Sequence, residues 1–273
     1  MKNLSQKSIP IETSTLSSVW VWAQIWLHVI YGVCILCFIF PFLSRSSKDQ
    51  KIREWSRYLL KIFNIELVVL GSDLIENTPH LIASNHISWL DIHVINAFKP
   101  IRFVAKSEVE HWPVFGWMAK QLGTVFIRRD SSRHARQVVM QMASVLKVES
   151  ICIFPEGTST IGEIVLPFKP NLFESAIVTQ VPVHPLAIQY LSKKTGKRSL
   201  SPAFIGDMGL LESISSIIKN RCVRHDLIDK LLIALLVCLI LIVTGHFYVA
   251  PGEVFRQITF QFRTVFTKLN EVR

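Results

Sequence analysis

The sequence predicts an α/β fold, a β-sheet flanked by helices, behind an N-terminal membrane-anchoring helix or helical hairpin. Three observations predict it. From residue 65 onward, short apolar and β-branched runs alternate with segments of helical period, as in strands separated by helices. Gly71, Pro79, Pro100 and Pro170 stand at the boundaries between these segments. Ahead of them, Val19 to Leu43 carries no formal charge. At 1.5 Å per residue, about 20 helical residues cross a hydrocarbon layer, so this run is long enough to span.

Residues 1–18 are polar, rich in Ser and Thr and without period, and read as a loosely ordered tail. The apolar run has neither the short centre nor the small-residue cleavage site of a signal peptide, so it reads as a retained anchor. Arg45, Lys48, Lys51, Arg53, Arg57 and Lys61 follow it, against Lys2 and Lys7 before it. That asymmetry predicts a cytoplasmic position for everything after residue 43. Ile52, Trp55, Leu59 and Phe63 recur at helical spacing among these basic residues. They describe an amphipathic helix that lies either in the headgroup layer or on a protein core. Residues 19–64 are thus expected to anchor, and residues 65–273 to form one domain.

Within that domain Glu66 to Leu70, His80 to Ala83, Ile101 to Ala105, Gly123 to Ile127, Ser150 to Phe154 and Val181 to Gln189 read as strands. Asp91 to Phe98, Pro113 to Leu122 and Arg133 to Val148 read as helices. Leu231 to Val249 is a second apolar stretch, read as a helix followed by a buried strand rather than a second span.

Composition narrows the partners. Half of the 273 residues are hydrophobic, and 30 Lys plus Arg against 20 Asp plus Glu leave a net charge of +10. A chain both oily and basic suits a membrane surface carrying anionic lipid. No zinc-finger spacing, basic zipper or RNA-binding aromatic motif supports nucleic acid as a partner. The five cysteines imply no disulfide framework, and Cys34 and Cys37, although spaced C-x-x-C, lie in an apolar run with no second ligand pair.

Chemistry concentrates in two stretches. Asn85-His86-Ile87-Ser88-Trp89-Leu90-Asp91 sets an imidazole five residues before a carboxylate. A neutral histidine can take a proton from an alcohol, and a carboxylate on its other ring nitrogen fixes the tautomer and stabilises the imidazolium. Ser88 and Asp91 also form the S-x-x-D pattern of a helix capping box, which gives Asp91 a purely structural alternative. A metal site of His86, Asp91 and His93 is the weaker reading, because nothing fixes a third ligand. In the second stretch, the apolar strand Ile151 to Phe154 is ended by Pro155. Glu156-Gly157-Thr158-Ser159 then makes a tight polar loop whose amides can face a ligand, or simply a turn.

The two stretches in this order, with Gly123-Thr124-Val125-Phe126-Ile127-Arg128-Arg129 between them and Val181-Pro182-Val183-His184-Pro185-Leu186-Ala187-Ile188 after them, resemble the glycerolipid acyltransferase family. That family includes the 1-acylglycerol-3-phosphate acyltransferases. The resemblance implies a mixed β-sheet flanked by helices, of the glycerol-3-phosphate acyltransferase type. It implies His86 as general base and Asp91 as its orienting partner, with the acceptor hydroxyl attacking an acyl thioester directly. Arg129 would bind the acceptor's phosphate, Glu156 and Gly157 would shape its pocket with Thr158 beside them, and Lys106 would add charge nearby. Pro182 and Pro185 would fix backbone. No cofactor is implied. The donor would be acyl-CoA or acyl carrier protein, the acceptor a lysolipid such as 1-acylglycerol-3-phosphate or lyso-ornithine lipid, and the location the membrane. Ser159 departs from the family, where Arg often stands, and weakens the expectation of a strict phosphomonoester acceptor. Acyl-thioester hydrolysis and a non-catalytic membrane-binding role are the alternatives. The absence of a G-x-S-x-G nucleophile elbow disfavours the first.

Overall fold

The computed structural model describes residues 15–71, 78–128, 132–220 and 223–228. The apolar stretch Leu231 to Val249 and the tail at residues 1–14 lie outside the described residues. Helix α1 (Thr15–Phe38) and, after a 3-10 turn, α2 (Arg45–Ile62) form an antiparallel pair. The Ser44 hydroxyl caps α2 by accepting from the Ser47 N–H at 3.3 Å. Seven strands follow: β1 (Glu66–Leu70), β2 (Leu81–Ser84), β3 (Arg102–Lys106), β4 (Val125–Ile127), β5 (Ile151–Ile153), β6 (Val183–Ser192) and β7 (Val223–Ile228). The helices between them are α3 (Leu90–Phe98), α4 (Ser107–Glu110), α5 (Phe115–Gln121), α6 (Ser132–Leu146), α7 (Glu174–Thr179) and α8 (Leu210–Lys219).

The strands make one sheet in the order β1-β7-β6-β2-β5-β3-β4. It is mixed. Strands β6, β2, β5, β3 and β4 run parallel, while β7 is antiparallel to β6 and parallel to β1. Every strand expected from the sequence is present, β1 at its expected ends and the others with edges shifted by at most three residues. Helices α4, α7 and α8 and strand β7 are additional to the elements read from the sequence; α4 and α7 are too short to show a period, whereas α8 is strongly amphipathic, with Ile214, Ile217 and Ile218 on its buried side. Pro185 sits inside β6 without breaking the ladder. By the two-residue period of a strand its missing donor faces β7, whose pairing begins only at Ala187, while Leu186 and Ile188 face β2.

Alternation along the parallel strands separates two cores. On one face Ile82, Cys152, Phe103, Leu186, Ile188 and Tyr190 meet α3, α8 and the helical pair. On the other Leu81, Ala83, Ile151 and Ile153 meet α6, α7 and the loop carrying Phe168 and Phe173. A parallel strand covered on both faces must be apolar throughout, which is why Leu81 to Ala83 and Ile151 to Ile153 carry no polar residue.

The amphipathic face of α2 turns to protein. Leu59 and Phe63 are buried in the first core, together with Val21 and Ile25 of α1. His28 and Trp55 fasten the pair, each ring bonding the other residue's carbonyl at 3.0 and 3.2 Å while the rings stack. The opposite side of α1 leaves Trp20, Trp26, Leu27, Ile30 and Phe38 exposed.

Candidate active site

Five residues join β2 to α3, and this turn brings Asp91 back to His86. His86 Nδ1 lies 2.8 Å from Asp91 Oδ2. A carboxylate only accepts, so Nδ1 carries the proton and Nε2 keeps its lone pair. The same carboxylate oxygen accepts from the Ile87 and Ser88 amides at 2.7 and 2.9 Å, and the Ser88 hydroxyl accepts from the Leu90 amide at 3.2 Å. The capping and orienting readings of Asp91 are therefore one arrangement: the carboxylate closes the first helical turn and holds the imidazole at once. Asp91 is fully buried and its other oxygen, Oδ1, accepts from the Tyr190 phenol at 2.6 Å. The His86 side chain is 21% exposed, so its free edge reaches the surface. Phe154 stacks on the ring, with centroids 4.0 Å apart and planes 15° apart, and fixes its tilt.

The backbone around His86 is clamped on every side. The Asn85 amide bonds both the N–H and the carbonyl of Ile188, at 2.7 and 3.0 Å, and so extends the β2–β6 ladder with a side chain. Glu156 accepts from the His86 amide at 3.0 Å with one oxygen and from the Leu166 amide at 2.8 Å with the other. The His86 carbonyl accepts from the Thr160 amide and the Ile87 carbonyl from the Phe204 amide, both at 2.9 Å. Burial pushes the Glu156 carboxyl above its ordinary range, against the two amides and His86. Gly162, at φ +74°, passes so close to Ile87 that a Cβ there would meet its side chain at 2.7 Å.

Of the other residues expected at the site, Lys106, Glu156, Gly157 and Thr158 lie along the same edge, at the C-terminal ends of the parallel strands. Phe154 to Gly157 closes a turn through the Gly157 amide to the Phe154 carbonyl at 3.0 Å, with Gly157 at φ +73°. Thr158 is exposed beyond it, and Lys106 is exposed at the end of β3, the strand next to β5. Ser159 donates to the Phe204 carbonyl and is a tie between loops. Arg129 lies outside the described residues, and its neighbour Arg128 is exposed at the end of β4. The alternative of a metal held by His86, Asp91 and His93 does not form, because the His93 ring packs beside Trp55 and Trp89.

Glu156 has a structural duty that the sequence does not announce. Both its oxygens are taken by backbone amides in a buried position, so it braces the His86 backbone, and any shaping of the pocket acts through the backbone it holds. Phe154 and Tyr190 carry no role in the sequence reading. The adjacency of Phe154 to Glu156 offered a faint signal, whereas Tyr190 is 99 residues from Asp91 and offered none.

Comparison with known proteins converges on the same region. The family model described as Acyltransferase matches residues 66–189. The chain is 36% identical over 175 residues to lyso-ornithine lipid O-acyltransferase of Pseudomonas aeruginosa, covering 64% of this chain and 66% of that one, just under two thirds of its length. It is 35% identical over 186 residues to 1-acyl-sn-glycerol-3-phosphate acyltransferase of Neisseria meningitidis serogroup B, covering 67% and 72%. In fold it is similar to the crystal structure of the 1-acyl-sn-glycerophosphate acyltransferase of Thermotoga maritima, with TM-score 0.52, 22% identity, and 63% and 73% of the two chains covered.

Proposed function

This chain belongs to the glycerolipid acyltransferase family, and from that premise we propose that it moves a fatty acyl group from a thioester donor to the free hydroxyl of a lysolipid. The single observation that carries the proposal is the His86–Asp91 pair, whose Nε2 edge faces outward from a rigid, braced turn. In this reaction the acceptor hydroxyl approaches Nε2, His86 takes its proton, and the oxygen attacks the thioester carbonyl. Asp91 stabilises the imidazolium as it forms. The tetrahedral intermediate collapses, the C–S bond breaks, and His86 returns the proton to the leaving sulfur.

Direct transfer is favoured over an acyl-enzyme. Cys152 is fully buried and its thiol is pushed well above its ordinary range, while the buried Ser88 hydroxyl is engaged with the start of α3. Acyl-CoA or acyl carrier protein supplies the thioester. The leading acceptor is 1-acylglycerol-3-phosphate, with Arg129 and Lys106 as candidate phosphate contacts. Ser159 favours a second acceptor, lyso-ornithine lipid: where the family often has Arg, this hydroxyl is spent on Phe204 and leaves one cation fewer for a phosphate.

The reading also places the protein on the cytoplasmic face of a membrane. The exposed apolar side of α1, with Trp20 and Trp26, and the basic residues of α2 fit a lipid surface. Because the other side of α1 is buried against the domain, a helix seated in one leaflet fits better than one surrounded by lipid.

The test is thiol release from acyl-CoA and from acyl carrier protein by the purified protein, with each lysolipid in turn. His86→Ala should lower the rate about 10²- to 10⁴-fold. Equal release with and without lysolipid would indicate hydrolysis, and an unimpaired His86→Ala would remove the base from the mechanism.

A further inference from the structure

Tyr190 lies on β6, 1% exposed, two residues beyond the last position that the four sequence blocks include. It reaches the site through a specific device. Strand β2 ends at Ser84, opposite Leu186, but the Asn85 side chain supplies the next rung by pairing with both backbone groups of Ile188. Strand β6 is thereby held alongside the catalytic turn for one further rung. Leu186, Ile188 and Tyr190 share one face of β6, so Tyr190 arrives beneath α3 with its phenol 2.6 Å from Asp91 Oδ1.

That oxygen has no other bond among those described. The three donors from the turn, His86 Nδ1 and the Ile87 and Ser88 amides, all converge on Oδ2. Asp91 is fully buried, and Tyr190 belongs to the apolar core that also holds Leu90, Val94 and Ile188. A phenylalanine would fill this space as well as a tyrosine, so packing alone does not call for the hydroxyl. The carboxylate does, because a buried ionised oxygen without a donor is strongly unfavourable.

We propose that Tyr190 is a positioning residue for acyl transfer, whose phenol holds the second oxygen of Asp91 and thereby sets both the aim and the proton affinity of His86. The proposal rests on the reading of His86 as the general base. Burial and the neighbouring Asp91 push the phenol far above its ordinary range, so it remains a donor throughout the working pH range. A donor on Oδ1 draws charge away from Oδ2 and moderates the pull on the imidazolium. Without it the carboxylate binds the imidazolium more tightly, and His86 holds its proton to higher pH. The carboxylate also loses the bond that stops it from rotating. Neither Asp91 nor Tyr190 is placed to touch the acceptor, so binding should be spared.

The other groups near Asp91 are His86 and Ser88 from the turn, the Ser88 side chain also hydrogen-bonding the Tyr190 phenol, with Cys152 from β5 and Glu156 from the loop after it. Ser88 does not titrate, and burial keeps the Cys152 thiol neutral. Glu156 is present in both wild type and variant, so the difference between them reports His86.

The experiment compares wild type with Tyr190→Phe in two ways. One is the pH profile of kcat/KM. The other is carbethoxylation of His86 by diethyl pyrocarbonate, followed by mass spectrometry, which reads the imidazole without requiring turnover. The expected result is a kcat about 10-fold lower with acceptor KM changed less than about twofold. The acid limb and the midpoint of His86 labelling should both move up by about half a pH unit or more. In an Asp91→Asn background Tyr190→Phe should add less than about twofold, because the phenol acts through the carboxylate. An unmoved labelling midpoint, or an equal loss in both backgrounds, overturns the proposal. Should Tyr190→Phe fail to accumulate, the double variant with Asp91→Asn decides, since removing the buried charge restores folding only if the charge is what the phenol serves. Absence of acyl transfer by wild type on every acceptor would count against the proposed function, while the labelling curves still test Tyr190.

Discussion

At Glu156 two roles for one carboxylate lead to different kinetics. As a contact for the acceptor, its loss would raise KM. As a brace between the His86 and Leu166 amides, its loss disturbs the aim of His86 and lowers kcat. Glu156→Gln keeps the shape but sets an amide donor against a backbone donor, which costs about 1 to 3 kcal/mol at a buried site. We expect kcat to fall about 10-fold or more with acceptor KM unchanged, in steady-state assays that vary the lysolipid. A raised KM at constant kcat would return Glu156 to the acceptor pocket.

At the scale of elements, the helical pair meets the domain where α1, α2 and α3 come together. The His93 ring of α3 lies 5.3 Å from Trp55 of α2 and 5.7 Å from Trp89, with no partner for its Nδ1. Burial, and then the neighbouring His28, lower its pKa to about 3 from an ordinary 6.5. The unfolded chain therefore takes up a proton below pH 6.5 that the folded chain refuses. This contribution to stability is complete above pH 6.5 and is lost as the pH falls toward 3, at no more than about 1.4 kcal/mol per unit. His93→Phe should flatten the fall in denaturation midpoint between pH 7 and pH 5 relative to wild type. Parallel curves for the two proteins would show that His93 is not the group responsible.

For the whole molecule, the exposed apolar side of α1 and the basic side of α2 define how it would meet lipid. Arg45 is drawn to Glu149, which also pairs with Arg102, so it is less free for headgroups. Lys48 lies over the Phe40 ring, and Lys51 pairs with exposed Glu54. Reversing these two charges, Lys48→Glu with Lys51→Glu, should weaken binding to vesicles rich in anionic lipid by about 1 kcal/mol or more per charge. Co-sedimentation across a salt series checks this, and the wild-type advantage should shrink as salt rises. Equal binding at every salt concentration would leave apolar insertion as the whole interaction.

Strands β1 to β6 with helices α3, α5 and α6, the anchor-length apolar helix and the His86–Asp91 pair were legible in the sequence, because period, punctuation and a five-residue spacing are local properties of the chain; α4, α7, α8 and β7 were not read. The paired helices were legible as helices, but whether Leu59 and Phe63 faced lipid or protein was not, since an amphipathic stripe has the same pattern against either. Only the tertiary structure decided what supports the pair. Asn85 meets Ile188, Glu156 meets His86 and Tyr190 meets Asp91 across 103, 70 and 99 residues. Such contacts depend on which strands lie side by side in the sheet, and no local propensity encodes that choice.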